Sequence, residues 1–183
     1  MNNSKNIAFQ SNAQRVAVLI DVQNLYYSAR NLYQARVNFR EILKTAVGRR
    51  NLIRAFAYVV RTKTGEEKPF FEALVKLGIE TRIRELQEYY DGTKKADWDV
   101  GITVDAIRIS SSVDTIVLAS GDGDFIQLVE YLENQGKRVE IIAFGRSASS
   151  RIKEIADAFI DIEQEPGKYL LGKQTPRPQQ PNQ

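Results

Sequence analysis

The stretch that most constrains the fold runs from Val113 to Ala119, is mostly apolar and β-branched, and stops at Ser120-Gly121. An apolar run of this length between turn residues predicts a buried strand of a parallel sheet. Asp122 and Asp124 follow, separated by one glycine. Because ligand sites in parallel sheets lie beyond the carboxyl ends of the strands, the two carboxylates could help to hold a divalent metal. Alternatively, Asp122 caps the next helix and Asp124 lies in its first turn.

The rest of the chain alternates short apolar segments with amphipathic ones. This pattern predicts strands over about residues 16–20, 51–60, 79–86, 113–119, 139–144 and 158–162, and helices over about 23–33, 39–47, 69–77, 97–111, 122–135 and 149–156. The polar segment 87–96 is predicted to be a surface loop. Alternating strands and helices indicate an α/β protein with a three-layer, Rossmann-like fold and a mostly parallel central sheet.

Composition divides the chain into three parts. Residues 1–14 are predicted to be a flexible arm, residues 15–163 a single domain, and residues 164–183 a disordered tail rich in proline and glutamine. No apolar run approaches the ~20 residues that a membrane span needs, and residues 1–14 lack the apolar core of a signal peptide. These features predict a cytoplasmic protein that makes no membrane contact.

The chain contains neither cysteine nor histidine. The missing cysteine excludes disulfides, thiolate zinc sites and thiol nucleophiles. The missing histidine excludes the Ser-His-Asp arrangement and the commonest general base. Catalysis would therefore depend on carboxylates, Lys, Tyr or Ser, or on a metal held by oxygen ligands, which favours Mg²⁺ or Mn²⁺. A net charge of +3 mildly favours an anionic partner.

Several polar residues are predicted to lie near Asp122. Asp21 ends the first predicted strand, and the two carboxylates converge if both strands are central in one parallel sheet. Asn24 falls on the same side of the first helical turn, where it could hold metal or water, or simply cap the helix. Asp105 lies in an otherwise apolar helical segment, where a buried carboxylate needs a cation nearby. Asp99, in the first turn of that helix, either joins this cluster or simply stabilises the helix dipole.

Three sequence blocks resemble the NYN domain family, the branch of PIN-like nucleases that includes the LabA-like proteins. The blocks are residues 18–24, residues 95–100 together with Asp105, and residues 120–125. The resemblance implies a PIN-like sheet with an acidic pocket that binds Mg²⁺ or Mn²⁺ and cleaves RNA. It assigns the family's acidic positions to Asp21, Asp99, Asp122 and Asp124, and the acid of the preceding helix to Asp105. Trp98 departs from the family, whose members tend to carry a smaller aliphatic residue there.

The predicted function is that of a metal-dependent endoribonuclease. Asp21, Asp122 and Asp124 would ligate the metal, partly through water, and Asp99 and Asp105 would complete the cluster or a second metal site. The residues predicted to bind the substrate are Asn24, Lys95, Arg146 and Ser120. Charged residues of this kind are more often simply exposed on the surface, which is the competing interpretation for Lys95 and Arg146.

The predicted partner is RNA, with single-stranded RNA favoured, and a homodimer or regulatory protein partners are also considered. Aromatic residues could stack on bases or pack within the protein, namely Tyr26, Tyr27, Tyr89, Tyr90 and Trp98. The competing function is a non-catalytic or weakly catalytic RNA-binding or regulatory protein that keeps the metal pocket. A nucleotide-binding Rossmann domain is disfavoured, because no Gly-x-Gly-x-x-Gly follows the first strand.

Overall fold

The central feature of the fold is a parallel sheet of six strands in the order β4-β3-β1-β7-β8-β9. The computed structural model describes residues 11–62, 66–85, 87–88, 94–95 and 97–172, with backbone alone at 87–88 and 94–95. Its strands are β1 (Arg15–Asp21), β2 (Arg36–Val37), β3 (Asn51–Arg61), β4 (Glu80–Glu85), β5 (Gln87–Glu88), β6 (Lys94–Lys95), β7 (Thr115–Ala119), β8 (Arg138–Ala143), β9 (Ala158–Asp161) and β10 (Leu170–Leu171). Its α-helices are α1 (Val22–Tyr33), α2 (Phe39–Val47), α3 (Lys68–Lys76), α4 (Asp99–Ser110), α5 (Ile126–Asn134), α6 (Ser150–Ile155) and α7 (Pro166–Tyr169).

Helices cover both faces of the sheet, which confirms the predicted three-layer α/β fold. Strand β1 pairs in parallel with β3 on one side and β7 on the other, so it lies at the centre. Its residues alternate between the two faces. Val18 and Ile20 pack with α1, α2 and α3, whereas Leu19 packs with α4, α5 and α6. Burial on both faces explains why β1 and β7 are almost entirely apolar.

Two local predictions differ from the structure. The helix predicted over residues 122–135 is preceded by a 3-10 turn at Gly123–Phe125, and α5 starts only at Ile126. Within the segment predicted as a loop, β5 and β6 pair in an antiparallel ladder, while residues 89–93 and 96 lie outside the described part. Hydrophobic periodicity did not detect either feature, because each is too short to bury a periodic apolar face.

Residues 164–172 fold against the domain, although the predicted tail starts at residue 164. Strand β10 pairs with β2 in an antiparallel ladder, and the backbone N–H of Asn38 donates to the Tyr169 carbonyl oxygen at 2.8 Å. Tyr169 is 1% exposed, and its hydroxyl lies 3.1 Å from that of Thr45 on α2. Proline content pointed to disorder, but the burial of Tyr169 and Leu170 and the pairing of β10 with β2 hold the segment against the domain. The remaining predicted tail, residues 173–183, and residues 1–10 of the predicted arm lie outside the described residues.

A buried ion pair joins the chain across the sheet. Arg50 donates from Nη1 and Nη2 to the two carboxylate oxygens of Glu140 at 3.0 and 2.8 Å, and both residues are almost fully buried. Arg50 also donates to the Ala46 carbonyl oxygen, and Arg138 donates to Glu140 at 2.8 Å. These bonds satisfy the charges that burial would otherwise destabilise. Among the described residues, none of the helices is long and apolar enough to cross a membrane.

The packing of Tyr169 yields a prediction about the extent of the folded domain. Replacing Tyr169 with Ala should lower the free energy of unfolding by about 3 kcal/mol or more, because it leaves a cavity under β10. Tyr169→Phe keeps the ring and loses only the hydroxyl contact with Thr45, so it should cost about 1 kcal/mol. Urea unfolding of both variants and the wild type measures the difference. An unchanged stability for Tyr169→Ala would contradict a folded segment here.

Candidate metal centre

The site forms where two central strands end side by side. Ile20 of β1 is paired with Ala119 of β7, so the residues that follow them, Asp21 and Ser120, are neighbours at the carboxyl edge of the sheet. The Ser120 hydroxyl donates to Oδ2 of Asp21 at 3.1 Å, and both residues are buried. The convergence of the two strand ends, which sequence periodicity predicted, therefore exists in the structure.

Asp21 also starts the next helix. It is the N-cap of α1, and its Oδ1 accepts a hydrogen bond from the backbone N–H of Asn24 at 3.1 Å. The side chain of Asn24 has a different role from capping, because its Oδ1 accepts from the backbone N–H of Gly121 at 3.1 Å. One amide thus joins the first turn of α1 to the loop after β7, 97 residues later in the chain.

Asp122 does cap the turn that follows β7. Its Oδ1 accepts from the backbone N–H of Asp124 at 3.1 Å, and its own N–H donates to the Ser120 hydroxyl oxygen at 3.3 Å. Gly121 is required by close packing, since a Cβ atom there would lie 2.9 Å from the Ala148 backbone. The loop after β7 is therefore held tightly, and the capping interpretation of Asp122 is confirmed. Capping uses one carboxylate oxygen and leaves the other free.

The carboxylates of this loop act electrostatically on those of β1 and α4. Burial raises the pKa of Asp21 to about 6, against the lowering effect of the hydrogen bonds from Asn24 and Ser120, and the negative charges of Asp99 and Asp122 raise it further. Burial also raises the pKa of Asp99, as do the charges of nearby aspartates, including Asp122 and Asp124. Burial and the neighbouring carboxylates of the loop after β7 thus disfavour the ionised forms of Asp21 and Asp99. We call these four residues, Asp21, Asp99, Asp122 and Asp124, the acidic cluster.

No basic side chain neutralises the acidic cluster within the part of the chain that the structure describes. The ion pairs of the described residues involve other carboxylates, and neither Asp99 nor Asp124 accepts a hydrogen bond there through its side chain. The described residues also contain no group of three acidic side chains already arranged around one ion. Mg²⁺ does not need such a group, because it is usually held by one or two carboxylates together with water and phosphate oxygens. The donor set, which is all oxygen, fits Mg²⁺ or Mn²⁺.

Asp105 lies in a different set of contacts from the acidic cluster. Its Oδ2 accepts from the Tyr58 hydroxyl at 3.1 Å and from Nε of Arg82 at 3.3 Å, and Arg108 lies 3.8 Å from Oδ1. The expectation that this buried carboxylate has a cation nearby is fulfilled by arginine. Both hydrogen bonds fall on Oδ2, and two arginines already supply the positive charge beside Asp105. The negative charge of Asp105 raises the pKa of Tyr58, after burial as the larger cause.

Arg146 and Lys95 are the two residues predicted to bind phosphate, and the structure describes the side chain of Arg146 only. Arg146 donates from its backbone N–H and from Nε to Glu163, at 2.8 and 2.5 Å, and its guanidinium lies 5.3 Å from the ring centre of Tyr33. These contacts hold Arg146 beside α1, in the loop after β8 whose Ser149 N–H donates to the Gly121 carbonyl oxygen. Lys95 lies in β6, where the structure describes the backbone alone.

The aromatic residues divide between packing and exposure. The indole N–H of Trp98 donates to the Val59 carbonyl oxygen at 3.0 Å, and its ring meets Tyr58 edge-on. Trp98 therefore packs against β3, and Gly101 provides the space, since a Cβ atom there would lie 2.5 Å from the indole ring. Tyr26 and Tyr27 are exposed on α1. Tyr89 and Tyr90 lie outside the described residues.

Sequence reasoning missed two partners that shape the site. Glu163 fixes Arg146, and the backbone N–H of Gly121 orients the amide of Asn24. Neither has a local signal, since Glu163 looks like any surface acid and backbone donors have no sequence signature. Tyr58 did carry a signal, being a hydroxyl within an apolar strand, and its register beside Asp21 places it at the same level of the sheet.

Comparison with known proteins agrees with this architecture. A crystal structure of a protein of unknown function from Vibrio parahaemolyticus has a TM-score of 0.80 and 34% sequence identity, and the match covers 89% of this chain and 100% of that one. The low amplitude and bright protein LabA of Synechococcus elongatus is 27% identical over 156 residues, which are 81% of this chain and 83% of that protein. An uncharacterized protein of Methanocaldococcus jannaschii is 27% identical over 157 residues, 82% of this chain and 56% of that protein.

The family model of the NYN domain matches residues 15–163 of this chain. This match spans the whole central sheet and every residue of the acidic cluster. It agrees with the resemblance that the sequence blocks around Asp21, Asp99 and Asp122 indicated. The chain therefore belongs to the NYN domain family, which comprises PIN-like nucleases.

Proposed function

We propose that the protein is a metal-dependent ribonuclease that hydrolyses RNA phosphodiester bonds at the acidic cluster. The observation that carries the proposal is the set of four neighbouring aspartates without a basic partner among the described residues. Such a set is electrostatically unfavourable by itself and becomes favourable when it holds a divalent cation. The family membership supports a nuclease activity. The RNA substrate, the choice of Mg²⁺ or Mn²⁺ and the roles of the individual residues are our proposal.

The free carboxylate oxygens define which residues would hold the metal. Asp21 accepts one hydrogen bond on each oxygen, and Asp122 accepts one in total, so both retain unused lone pairs. Asp99 and Asp124 would hold the ion or its water ligands from the sides of α4 and the 3-10 turn. When bound, Mg²⁺ or Mn²⁺ supplies charge stabilisation on the phosphate and lowers the pKa of water. We assign Asp105 a structural role, because Arg82 and Tyr58 already bind it.

Neutral donors at the edge of the cluster would position the substrate. The bond from Gly121 N–H fixes Oδ1 of Asn24, which leaves its Nδ2 group as a donor for a phosphate or water oxygen. Ser120 orients the carboxylate of Asp21 and so acts on the substrate through that residue. Arg146 would offer part of its guanidinium to a phosphate, since the bond to Glu163 uses Nε. We also propose Lys95 as a phosphate ligand, because of its position in the sequence close to Asp99.

A second function is favoured by one observation. Because the described residues hold no preformed three-carboxylate group, a protein that binds metal and RNA with little or no turnover fits the same geometry. Such a non-catalytic or weakly catalytic regulatory protein would show metal binding by calorimetry but no cleavage of single-stranded RNA with Mg²⁺ or Mn²⁺. Absence of metal binding would contradict both functions.

The two carboxylates Asp122 and Asp105 provide a matched test of catalysis. Asp122→Asn should lower the rate of RNA cleavage by about 100-fold or more, because it removes a charge that holds the metal. Asn is as good an N-cap as Asp, so the fold should be kept. Asp105→Asn should leave the rate within about threefold, because an amide oxygen can still accept from Tyr58 and Arg82. Gel-resolved cleavage of a labelled RNA with Mn²⁺, and with EDTA as the metal-free control, measures both rates. Equal losses in the two variants would contradict the assignment.

The raised pKa of Asp21 predicts a pH-dependent stability. Its folded-state pKa of about 6 lies above the ordinary value of 3.8. The unfavourable charge is therefore absent below pH 4, and stability is lost as the pH rises through 6. In EDTA at pH 7.5, Asp21→Asn should raise the free energy of unfolding by on the order of 1–3 kcal/mol, and at pH 4 the two proteins should be nearly equal. Urea unfolding at both pH values measures this difference.

Asp114 provides the control of opposite sign for that measurement. The hydrogen bonds from Arg15 lower its pKa to about 2, so its charge stabilises the folded state at neutral pH. Asp114→Asn should therefore destabilise the protein at pH 7.5, by a small amount because the pair is exposed to solvent. If Asp21→Asn also proved destabilising at pH 7.5, the negative charge of Asp21 in its buried position would not be unfavourable as proposed.

A further inference from the structure

A row of polar side chains leads away from the acidic cluster along the outer face of α1. Asn24, Tyr27, Asn31 and Gln34 follow one another at intervals of three, four and three residues, so they share one side of the helix. Asn24 is itself part of the site, because it binds the loop after β7. At 1.5 Å per residue, the row extends about 15 Å from the acidic cluster.

A groove lies beside this row and carries positive charge. It has a volume of about 450 Å³ and is lined by Tyr26, Arg30, Asn31, Gln34, Ala35 and Arg36, with no acidic residue among them. Within the described residues, neither arginine forms an ion pair with a carboxylate. Arg54, Arg82 and Arg146 differ in this respect, since each binds an acid. The groove is therefore suited to an anionic chain.

Two neighbouring tyrosines lie in the half of α1 that begins at the acidic cluster, and one of them, Tyr26, lines the groove. Tyr26 and Tyr27 are 43% and 53% exposed, and their rings meet edge-on with centres 5.4 Å apart. Exposed aromatic rings offer faces on which nucleic-acid bases stack, and this requires bases that are not already paired and stacked in a duplex. The tyrosines thus favour a single strand over a double helix.

Gln34 occupies its position at a cost to the backbone. Among the described residues it is the only non-glycine residue with a positive φ, at 52°. This left-handed conformation ends α1 through bonds from the Gln34 N–H to the carbonyl oxygens of Ala29 and Arg30. Glycine is the residue usually favoured there, so the side chain that lines the groove is kept against the backbone preference.

We propose that this surface, the α1 strip (Tyr26, Tyr27, Arg30, Asn31, Gln34 and Arg36), binds single-stranded RNA and leads it to the acidic cluster. The inference rests on the proposed function for the direction of the strand, and the binding itself can be tested separately. Tyr26 and Tyr27 stack on bases close to the cluster, and Arg30 on α1 and Arg36 on β2 bind phosphates further from it. Asn31 and Gln34 donate from their amide groups to the backbone between them.

The tyrosines are tested by binding without cleavage. The probe is a fluorescein-labelled single-stranded RNA of about 12 nucleotides, titrated in EDTA and followed by anisotropy. The double variant Tyr26→Ala/Tyr27→Ala should bind at least about 10-fold more weakly, because base stacking on aromatic rings is lost. Tyr131→Ala is the matched control, since Tyr131 is also 43% exposed but lies on α5, across the sheet. It should bind within about twofold of the wild type.

The arginines are tested by the salt dependence of the same titration. Each phosphate contact on a single strand contributes about −0.7 to the slope of log affinity against log salt. Arg30→Gln/Arg36→Gln should therefore reduce the slope by about 1.4. Arg108→Gln, an exposed arginine on α4 at the opposite face, should leave the slope unchanged. An unchanged slope in the double variant would overturn phosphate binding by the α1 strip.

A variant of Gln34 distinguishes an effect on RNA binding from an effect on folding. Gln34→Gly removes the side chain and relieves the left-handed backbone, so the thermal midpoint should rise while the affinity for RNA falls about threefold or more. A loss of affinity in a more stable protein cannot come from misfolding. If the midpoint rises and the affinity is unchanged, Gln34 serves the helix end alone, and its part in the strip is overturned.

The outcomes distinguish this inference from the proposed function. Cleavage that persists while the variants of the α1 strip bind RNA like the wild type overturns the strip and leaves the nuclease intact. Binding that is lost in those variants, in a wild-type protein that never cleaves RNA, supports the strip and overturns the nuclease. A wild-type protein that does not bind the probe in EDTA overturns the strip, and its cleavage with Mn²⁺ is then judged separately.

Discussion

The pairing of β1 with β7 is the constraint on which the candidate site depends. Residues Ile20 and Ala119 are in register, so two strands 99 residues apart in the chain end at the same level of the sheet. Two hydrogen bonds then cross between the ends, from Ser120 to Asp21 and from Gly121 to Asn24. A shift of one residue in this register would turn the carboxylate to the other face of the sheet. The apolar residues of both strands prevent the shift, because they are buried on both sides.

The same pairing concentrates negative charge where the fold can least neutralise it. The buried Arg50–Glu140 pair shows how this protein stabilises an ionised group in its interior, with a bidentate arginine and carbonyl oxygens around it. Asp21 receives only neutral donors, and burial raises its pKa to about 6, with smaller contributions from the charges of Asp99 and Asp122. The contrast points to function, since a site that must accept a cation cannot also hold an arginine.

Much of the fold was predictable because hydrophobic periodicity reports burial, and β1, β7 and residues 55–59 of β3 are buried on both faces. The convergence of Asp21 and Asp122 followed from parallel topology alone. The role of Asp105 could not be predicted in this way. Burial indicates that a carboxylate needs a cation nearby but does not identify the cation, and Arg82 lies 23 residues away on β4. Folding of the segment around Tyr169 was missed for a related reason, since its partners on α2 are 124 residues away.

The acidic cluster and the α1 strip have opposite charges, and this difference would determine the order in which RNA contacts them. On our proposal, RNA phosphates are attracted to Arg30 and Arg36 whether or not a metal is bound, whereas four aspartates repel them until a cation is present. Binding along α1 and entry into the cluster would then be separable steps that meet at Asn24. This residue holds the loop of Asp122 through Oδ1, and on our proposal its Nδ2 donates to the incoming strand. A single amide at the start of α1 would thus connect the position of the carboxylates with the position of the substrate.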